Sequence, residues 1–240
     1  MKTRGTGFVG YNVQVAVDAK HHLIVAHEVT NNGIDRDQLT SMAKLARTEM
    51  GVDKLTAVAD KGYYKSEEIL ACHEAGITAF VPKPKTSGAT FDGRFGKEDF
   101  IYDAEKNEYR CPAGERLIWR DRTTERGLKL DRYWSSQCQQ CSLKDKCTPS
   151  TERRVTRWEH EGLLEAMQVR LDLAPDMMRI RRQTVEHPFG TIKAWMGATH
   201  FLTRTIERVS TEMSLHVLAY NMKRVIKVLG SDTVMKAMRA

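Results

Sequence analysis

The chain lacks any apolar run long enough to span a bilayer; stretches such as residues 23–26 stop after a few positions. No membrane partner is therefore expected. Its start, Met1-Lys2-Thr3-Arg4, leads into Gly-rich sequence and not into the apolar core of a signal peptide. A cytoplasmic, nucleoid-associated location is the expectation. Cysteines number five, which in a reducing compartment excludes a disulfide scaffold. Internal repeats and low-complexity tracts are absent. So is the zinc-deaminase signature, since no His-x-Glu occurs and Gln137 stands where Pro would precede Cys138. Acid is short relative to base: 31 Asp and Glu face 38 Lys and Arg, giving +7 and a pI near 9.2. That balance favours a polyanionic partner, nucleic acid first.

What is present is enough for a core. The 240 residues are 41% apolar and 29% charged, the profile of a soluble globular protein of one or two domains. Residues 1–9 read as a flexible lead-in. Tyr11, Val13, Val15 and Val17 then alternate with smaller or polar residues, the period of a half-buried strand. A polar turn over 18–22 leads to a returning strand over 23–30. A helix is predicted over 37–50, with Gly51 as its C-cap. The apolar run 55–59 fits a strand buried on both faces. A helix capped by Ser66 and closed by Gly76 follows, then a short buried strand over 77–81. This strand–helix–strand rhythm predicts a mixed sheet with parallel neighbours.

The texture changes near Lys83. Residues 83–150 carry short β-like pieces and four of the five Cys, and read as an insertion with its own small fold. Residues 152–187 look helical, interrupted near Pro175, with a kink or break expected just after Glu186 because Pro188 disfavours a helical His187. A last amphipathic helix is expected over about 210–229, with Met213, Val217, Leu218, Met222, Val225 and Val228 or Leu229 facing the core. The chain thus divides into 1–82, a first core part, 83–150, the insertion, and 151–240, a helical completion.

Two carboxylates stand out. Asp60 sits where an apolar strand gives way to a Gly turn, and ligand groups gather at the carboxyl ends of strands in open α/β sheets. A turn-forming or capping Asp is the plain alternative. Glu186 lies near a helix end among Arg179, Arg181, Arg182 and Lys193, and a surface ion-pair network is its plain alternative. Together the two could hold Mg²⁺ or Mn²⁺, and two such ions can activate a water or a 3′-OH for phosphoryl transfer. The nearby Arg and Lys would then ground phosphates. Residues 176–230 hold nine basic and four acidic side chains, an excess of five positive charges in less than a quarter of the chain.

These motifs resemble those of DDE transposases from bacterial insertion sequences. Ala59-Asp60-Lys61-Gly62-Tyr63 is similar to the family's second-Asp motif. Arg182-x3-Glu186-x6-Lys193 is similar to its glutamate signature, Tyr-x2-Arg-x3-Glu-x6-Lys, with Arg179 at the Tyr position. The hairpin from Gly10 to Asp18, Thr30-Asn31-x3-Asp35, Val185-Glu186-His187-Pro188-Phe189-Gly190 and Leu218-Ala219-Tyr220-Asn221 extend the resemblance along most of the chain. It implies an RNase H-like mixed sheet flanked by helices, N-terminally truncated, with a Cys-rich β insertion before the helix of the catalytic Glu. It also implies Asp60 and Glu186 as two catalytic metal ligands, with Arg182, Lys193 and Arg181 on DNA. The implied partners are double-stranded transposon-end and target DNA and further copies of the chain on that DNA. The family's first Asp lies on a strand upstream of the hairpin, and Asp18 reads as a turn residue instead. The chain alone is then expected to be inactive or very weak. A non-catalytic DNA-binding or multimerising remnant is the alternative.

Cys111, Cys138, Cys141 and Cys147 could make a tetrahedral structural Zn²⁺ site stapling a small insertion. An iron–sulfur cluster or unrelated reduced thiols remain the alternatives. Cys72 reads as a buried apolar thiol. Trp195 and Phe201 could stack on a flipped base, with packing against the sheet as the stronger expectation.

Overall fold

In the computed structural model the described residues are 10–85 and 87–239, and the lead-in expected over residues 1–9 lies outside them. Among the described residues the fold is α/β, with seven α-helices and a five-stranded antiparallel sheet beside shorter strand pairs. The chain divides into two units: Met1–Lys83 with Ala166–Ala240, and Pro84–Glu165.

The first unit opens with the hairpin β1 (Asn12–Val17) and β2 (Ile24–Thr30), paired antiparallel with Val13 opposite Val29. Asp18 builds the turn: its carboxylate accepts the His21 amide at 2.7 Å and the Lys20 amide at 3.2 Å. The two faces of β1 are covered differently. Ala16 packs with Ala26 against Met42 and Ala46 of α1 (Leu39–Met50). Val13, Val15 and Val17 pack on the other side against a cluster that includes Val209, Met213, Val217 and Tyr220. Gly51 ends α1 with φ of 62°, a left-handed cap that suits Gly because it has no Cβ to clash.

β3 (Leu55–Val58), α2 (Ser66–Glu74) and β4 (Ile77–Phe80) follow, with β3 parallel to β4. Three expectations need correction here. The mixed sheet is two separate strand pairs, β1–β2 and β3–β4. Thr56 is exposed and the rest of β3 only partly covered, because no strand pairs with its other edge among the described residues. Ser66 is the first helical residue; Lys65 takes the cap position and makes no side-chain cap bond.

The second unit holds α3 (Gly88–Phe91) and the strands β5 (Ile101–Asp103), β6 (Glu108–Arg110), β7 (Arg116–Glu125), β8 (Leu128–Trp134) and β9 (Val155–Trp158). They pair antiparallel in chain order. Phe100, Tyr109, Leu117, Tyr133 and Val155 form its core. Asn107, with φ of 50°, turns the chain between β5 and β6 and accepts the Tyr133 hydroxyl at 2.7 Å. Residues 155–158 were expected to be helical. They form a strand because Val155 and Trp158 are buried against β8, and four residues carry too little period to show this beforehand.

The rest is helical: α4 (Glu161–Leu173), α5 (Met177–Gly190), a π-turn over Thr191–Trp195, α6 (Ile206–Leu229) and α7 (Ser231–Arg239). Of the kink or break expected after Glu186, the break does not occur. α5 runs through Pro188 to Gly190, its Pro ring buried, and packs against β1 and β3. Tertiary packing overrides the local preference there. The irregularity falls later, where the Met196 amide reaches five residues back to Thr191 at 3.0 Å. On α6 the buried face is Val209, Met213, Val217 and Tyr220. Leu218 and Met222, expected in the core, are 56% and 44% exposed, since that helix carries more apolar residues than one buried stripe uses. Asn221 ties α6 to the hairpin: Ile24 donates to its Oδ1 at 3.0 Å, and its Nδ2 donates to the Ile24 carbonyl at 2.8 Å.

Candidate active site

Asp60 follows β3 and caps a short 3₁₀ turn over Lys61–Tyr63, its Oδ1 accepting the Gly62 amide at 2.8 Å. A Cβ at position 62 would lie 2.9 Å from that same oxygen, so any larger residue there must displace the Asp60 carboxylate. The other oxygen, Oδ2, accepts from the Arg181 guanidinium of α5 at 2.9 Å. The capping alternative for Asp60 is thus real, and it coexists with a long-range partner 121 residues away.

A second carboxylate converges on the same turn. Asp35 Oδ1 accepts from Asn12 Nδ2 and Gln14 Nε2, both at 2.7 Å, and its Oδ2 lies 3.7 Å from where a Gly62 Cβ would stand. Gln14 is buried, although the strand pattern put it on the polar face of β1. Its Oε1 accepts the Tyr63 hydroxyl. Burial, then Asp35 and Asp60, push the Tyr63 hydroxyl up to about 12, with Arg181 opposing. Tyr63 therefore stays a neutral donor. Asn12, Gln14, Asp35, Tyr63 and Arg181 form one network around Asp60.

Glu186 lies on α5, exposed, in a cleft of about 300 Å³ that it shares with Tyr63, Arg181, Val13, Val15 and Phe189. Tyr63 and Arg181, both neighbours of Asp60, thus also line the cleft of Glu186, whereas Asp60 itself does not. Arg182, Glu186, Phe189 and Lys193 recur at helical spacing and form one stripe. Lys193 extends it into the π-turn, its ammonium 5.8 Å from the Phe189 ring centre. Arg182, Glu186 and Lys193 are all exposed. Arg179, at the family's Tyr position, pairs with Asp176 at 3.0 Å instead of serving the site.

A second cleft, of about 330 Å³, is lined by His187, Thr191, Trp195, Tyr220, Lys223, Arg224 and Lys227. Trp195 is 81% exposed, so the expectation that it packs against the sheet is corrected; Phe201 is partly covered and sits edge-on to Tyr11. Desolvation, then Arg224, hold His187 below its ordinary value, which keeps the imidazole neutral beside the Tyr220 hydroxyl. Three basic side chains around an exposed indole suit the backbone and bases of a nucleic acid. The charge count foreshadowed this cleft; its shape depends on how α6 meets the π-turn.

In the second unit, Cys111, Cys138, Cys141 and Cys147 line one cavity with Arg153. Burial pushes the Cys147 thiol up, and Arg153 opposes that. Arg153 Nε is buried without a hydrogen-bond partner. Cys72 is fully buried in α2, 3.7 Å from the Thr40 hydroxyl. Among the described residues, no group of three or more His, Cys, Asp or Glu is gathered closely enough to hold a metal ion. No helix among them is long and apolar enough to cross a membrane.

A carboxylate at a strand end, facing a helix that carries a second carboxylate between basic residues, suits metal-assisted chemistry on phosphates. Residues 110–226, just under half of the chain, match the family described as Transposase DDE domain. The match takes in Glu186, Lys193 and the four clustered cysteines; Asp60 lies outside it. No curated protein and no solved structure matches the chain.

Proposed function

We propose that this chain serves the cleavage and strand transfer of double-stranded DNA, with Asp60 and Glu186 as metal-holding carboxylates of an RNase H-like core. The transposase DDE domain at residues 110–226 supports transposition and divalent-metal use in general. The observation that carries the residue assignment is that Tyr63 and Arg181, the neighbours of Asp60, line the cleft in which Glu186 lies. Hard carboxylate oxygens fit Mg²⁺ or Mn²⁺. They supply two ligands, and the described residues bring no complete set together. A bound divalent ion would polarise the scissile phosphate and favour attack by water or a 3′-OH. Around it, Arg182 and Lys193 are placed to ground phosphates along the Glu186 stripe, and Arg181 holds Asp60 oriented. Asp35 positions Gln14 and, through it, Tyr63. On this reading the chain works as an oligomer on nucleoid DNA in the cytoplasm.

The second reading, a non-catalytic DNA-binding or multimerising remnant, is favoured by Arg181 occupying Asp60 and by the incomplete ligand set. An end-cleavage and strand-transfer assay on cognate end DNA with Mn²⁺ separates the two. On the first reading the protein cuts, and Asp60→Asn or Glu186→Gln should abolish cutting while retaining DNA binding. Full activity in either variant removes the site assignment.

For the insertion we propose a structural Zn²⁺ that would draw together Cys111, Cys138, Cys141 and Cys147, which line one cavity but do not themselves stand in metal-holding geometry. Soft thiolates suit zinc, and the Arg153 cation beside them would offset part of their negative charge. Metal analysis of the purified chain should find zinc; a chain with neither zinc nor iron overturns this centre.

A further inference from the structure

α6 is apolar on two faces. Val209, Met213, Val217 and Tyr220 bury one of them against the β1–β2 hairpin. Leu215, Leu218, Met222, Val225 and Leu229 recur at intervals of three, four, three and four residues. At about 3.6 residues per turn, this second stripe falls nearly opposite the buried one. Leu215 is 62% exposed and Leu229 55%, much like Leu218 and Met222 between them, and exposed Ile226 widens the stripe. α7 follows Gly230 with none of its own residues buried, so it leaves the stripe open.

The spacing says what kind of partner fits. Alternation of three and four residues is the seam of a helix pair, in which each side chain enters a hole between four residues of the facing helix. The charged side chains of α6 between Leu215 and Leu229 are Lys223, Arg224 and Lys227, and all three line the second cleft instead. A nucleic-acid phosphate or a lipid headgroup therefore finds no cation along the stripe. A helix with the same spacing fits it, and α6 of a second copy is such a helix.

Charge sets the direction. The first half of α6 carries Glu207, Arg208 and Glu212, and the second half Lys223, Arg224 and Lys227. A parallel pair would set three cations beside three cations. An antiparallel pair sets the acidic end of one helix beside the basic end of the other, and it opposes the two helix dipoles. In that arrangement Leu215 meets Val225 and Leu218 meets Met222, each contact occurring twice by twofold symmetry. Two such stripes closing on each other bury on the order of 1,000 Å² in total, the lower end for a specific interface.

We propose that the outer stripe of α6 is a twofold interface between two copies of this chain, packed antiparallel with Leu218 of one copy against Met222 of the other. This names a surface for the oligomer proposed above, and it requires neither DNA nor metal. Its failure in the absence of DNA would leave the DNA chemistry standing.

The test is sedimentation equilibrium of the 240-residue chain without DNA, with a reductant present because its cysteines are free. The chain should self-associate with a Kd on the order of 10 µM. A chain still monomeric at about 200 µM overturns the proposal. Leu218→Glu and Met222→Lys should each raise Kd at least about tenfold, since each sets a charge against an apolar side chain. Mixed in equal amounts, the two variants should associate within about threefold of the parent, because the antiparallel register brings the new acid of one copy against the new base of the other. Parental self-association in either variant, or no recovery on mixing, overturns the proposal. Exchange of the Ile24 amide, which bonds Asn221 on the same helix, should stay within about twofold of the parent in both variants, showing that α6 remains docked. Should either lose that protection, Leu215→Gln combined with Leu229→Gln takes its place. The same tenfold rise is expected there, and parental affinity overturns the interface.

Discussion

Asn221 is the sharpest test of how the C-terminal helix holds the hairpin. Its carboxamide makes two hydrogen bonds to the backbone of Ile24, one accepted at 3.0 Å and one donated at 2.8 Å. Ile24 is buried, so Asn221→Ala leaves a buried N–H and a buried C=O without partners. Each orphaned group costs about 1–3 kcal/mol. Asn221 itself is only half-buried, and water can enter the space it vacates. The lower end therefore applies to each, and about 2 kcal/mol in all is expected. That is about a 30-fold rise in exchange of the Ile24 amide. In urea it lowers the midpoint of the first unit by about 1 M for a slope near 2 kcal/mol/M. Asn221→Asp keeps the acceptor but sets a carboxylate against the Ile24 carbonyl, so it should not rescue. Exchange of Ile24 within about twofold of the parent in Asn221→Ala would refute the reasoning.

Arg181 competes with any cation for Asp60. Both side chains are partly exposed, so the pair is worth at most about 1 kcal/mol, and Arg181→Gln should raise Mn²⁺ affinity by no more than about fivefold by calorimetry. A fall in affinity would sink the competition, and Asp60→Asn should erase the gain. Glu212 on α6 is held down at about 2, first by the Thr203 hydroxyl and then by the Leu202 amide, with the Thr203 amide adding to them. A depressed carboxylate stabilises the fold fully above its ordinary value of 4.5 and loses that contribution as pH falls through about 2. Protection of the Leu202 and Thr203 amides, taken relative to their intrinsic exchange rate at each pH, should therefore fall over that window. In Glu212→Gln protection should already be low at pH 7 and flat with pH; an unchanged protection profile in the variant contradicts this.

Local signals in the sequence carried far. Alternation found the hairpin, Gly51 marked the end of α1, and the Asp18 turn followed from residue type alone. Non-local pairing did not show. Nothing in residues 55–59 says that β3 lacks a neighbour on one edge, because pairing belongs to segments far apart in the chain. Val155 to Trp158 is too short for its period to declare a strand. On α6 two apolar stripes compete, and only packing against the hairpin selects the one through Met213 and Val217. The site shows the same division. Asp60 and Glu186 stood out by motif, whereas the buried Gln14 and the Arg181 contact to Asp60 depend on tertiary geometry.

The cavity between β1 and β3 and the candidate site are physically continuous. Val15, Tyr63, Arg181 and Val185 line both that cavity and the cleft of Glu186. Gln14, which fixes Tyr63, lies on the cavity side alone. A substitution that fills the cavity therefore presses on the neighbours of Asp60 without touching either carboxylate. Arg181 has the most to change, since its guanidinium rests on Asp60 while the residue also borders the cavity. Replacing solvent there with apolar side chain strengthens the electrostatic contacts that remain at Asp60.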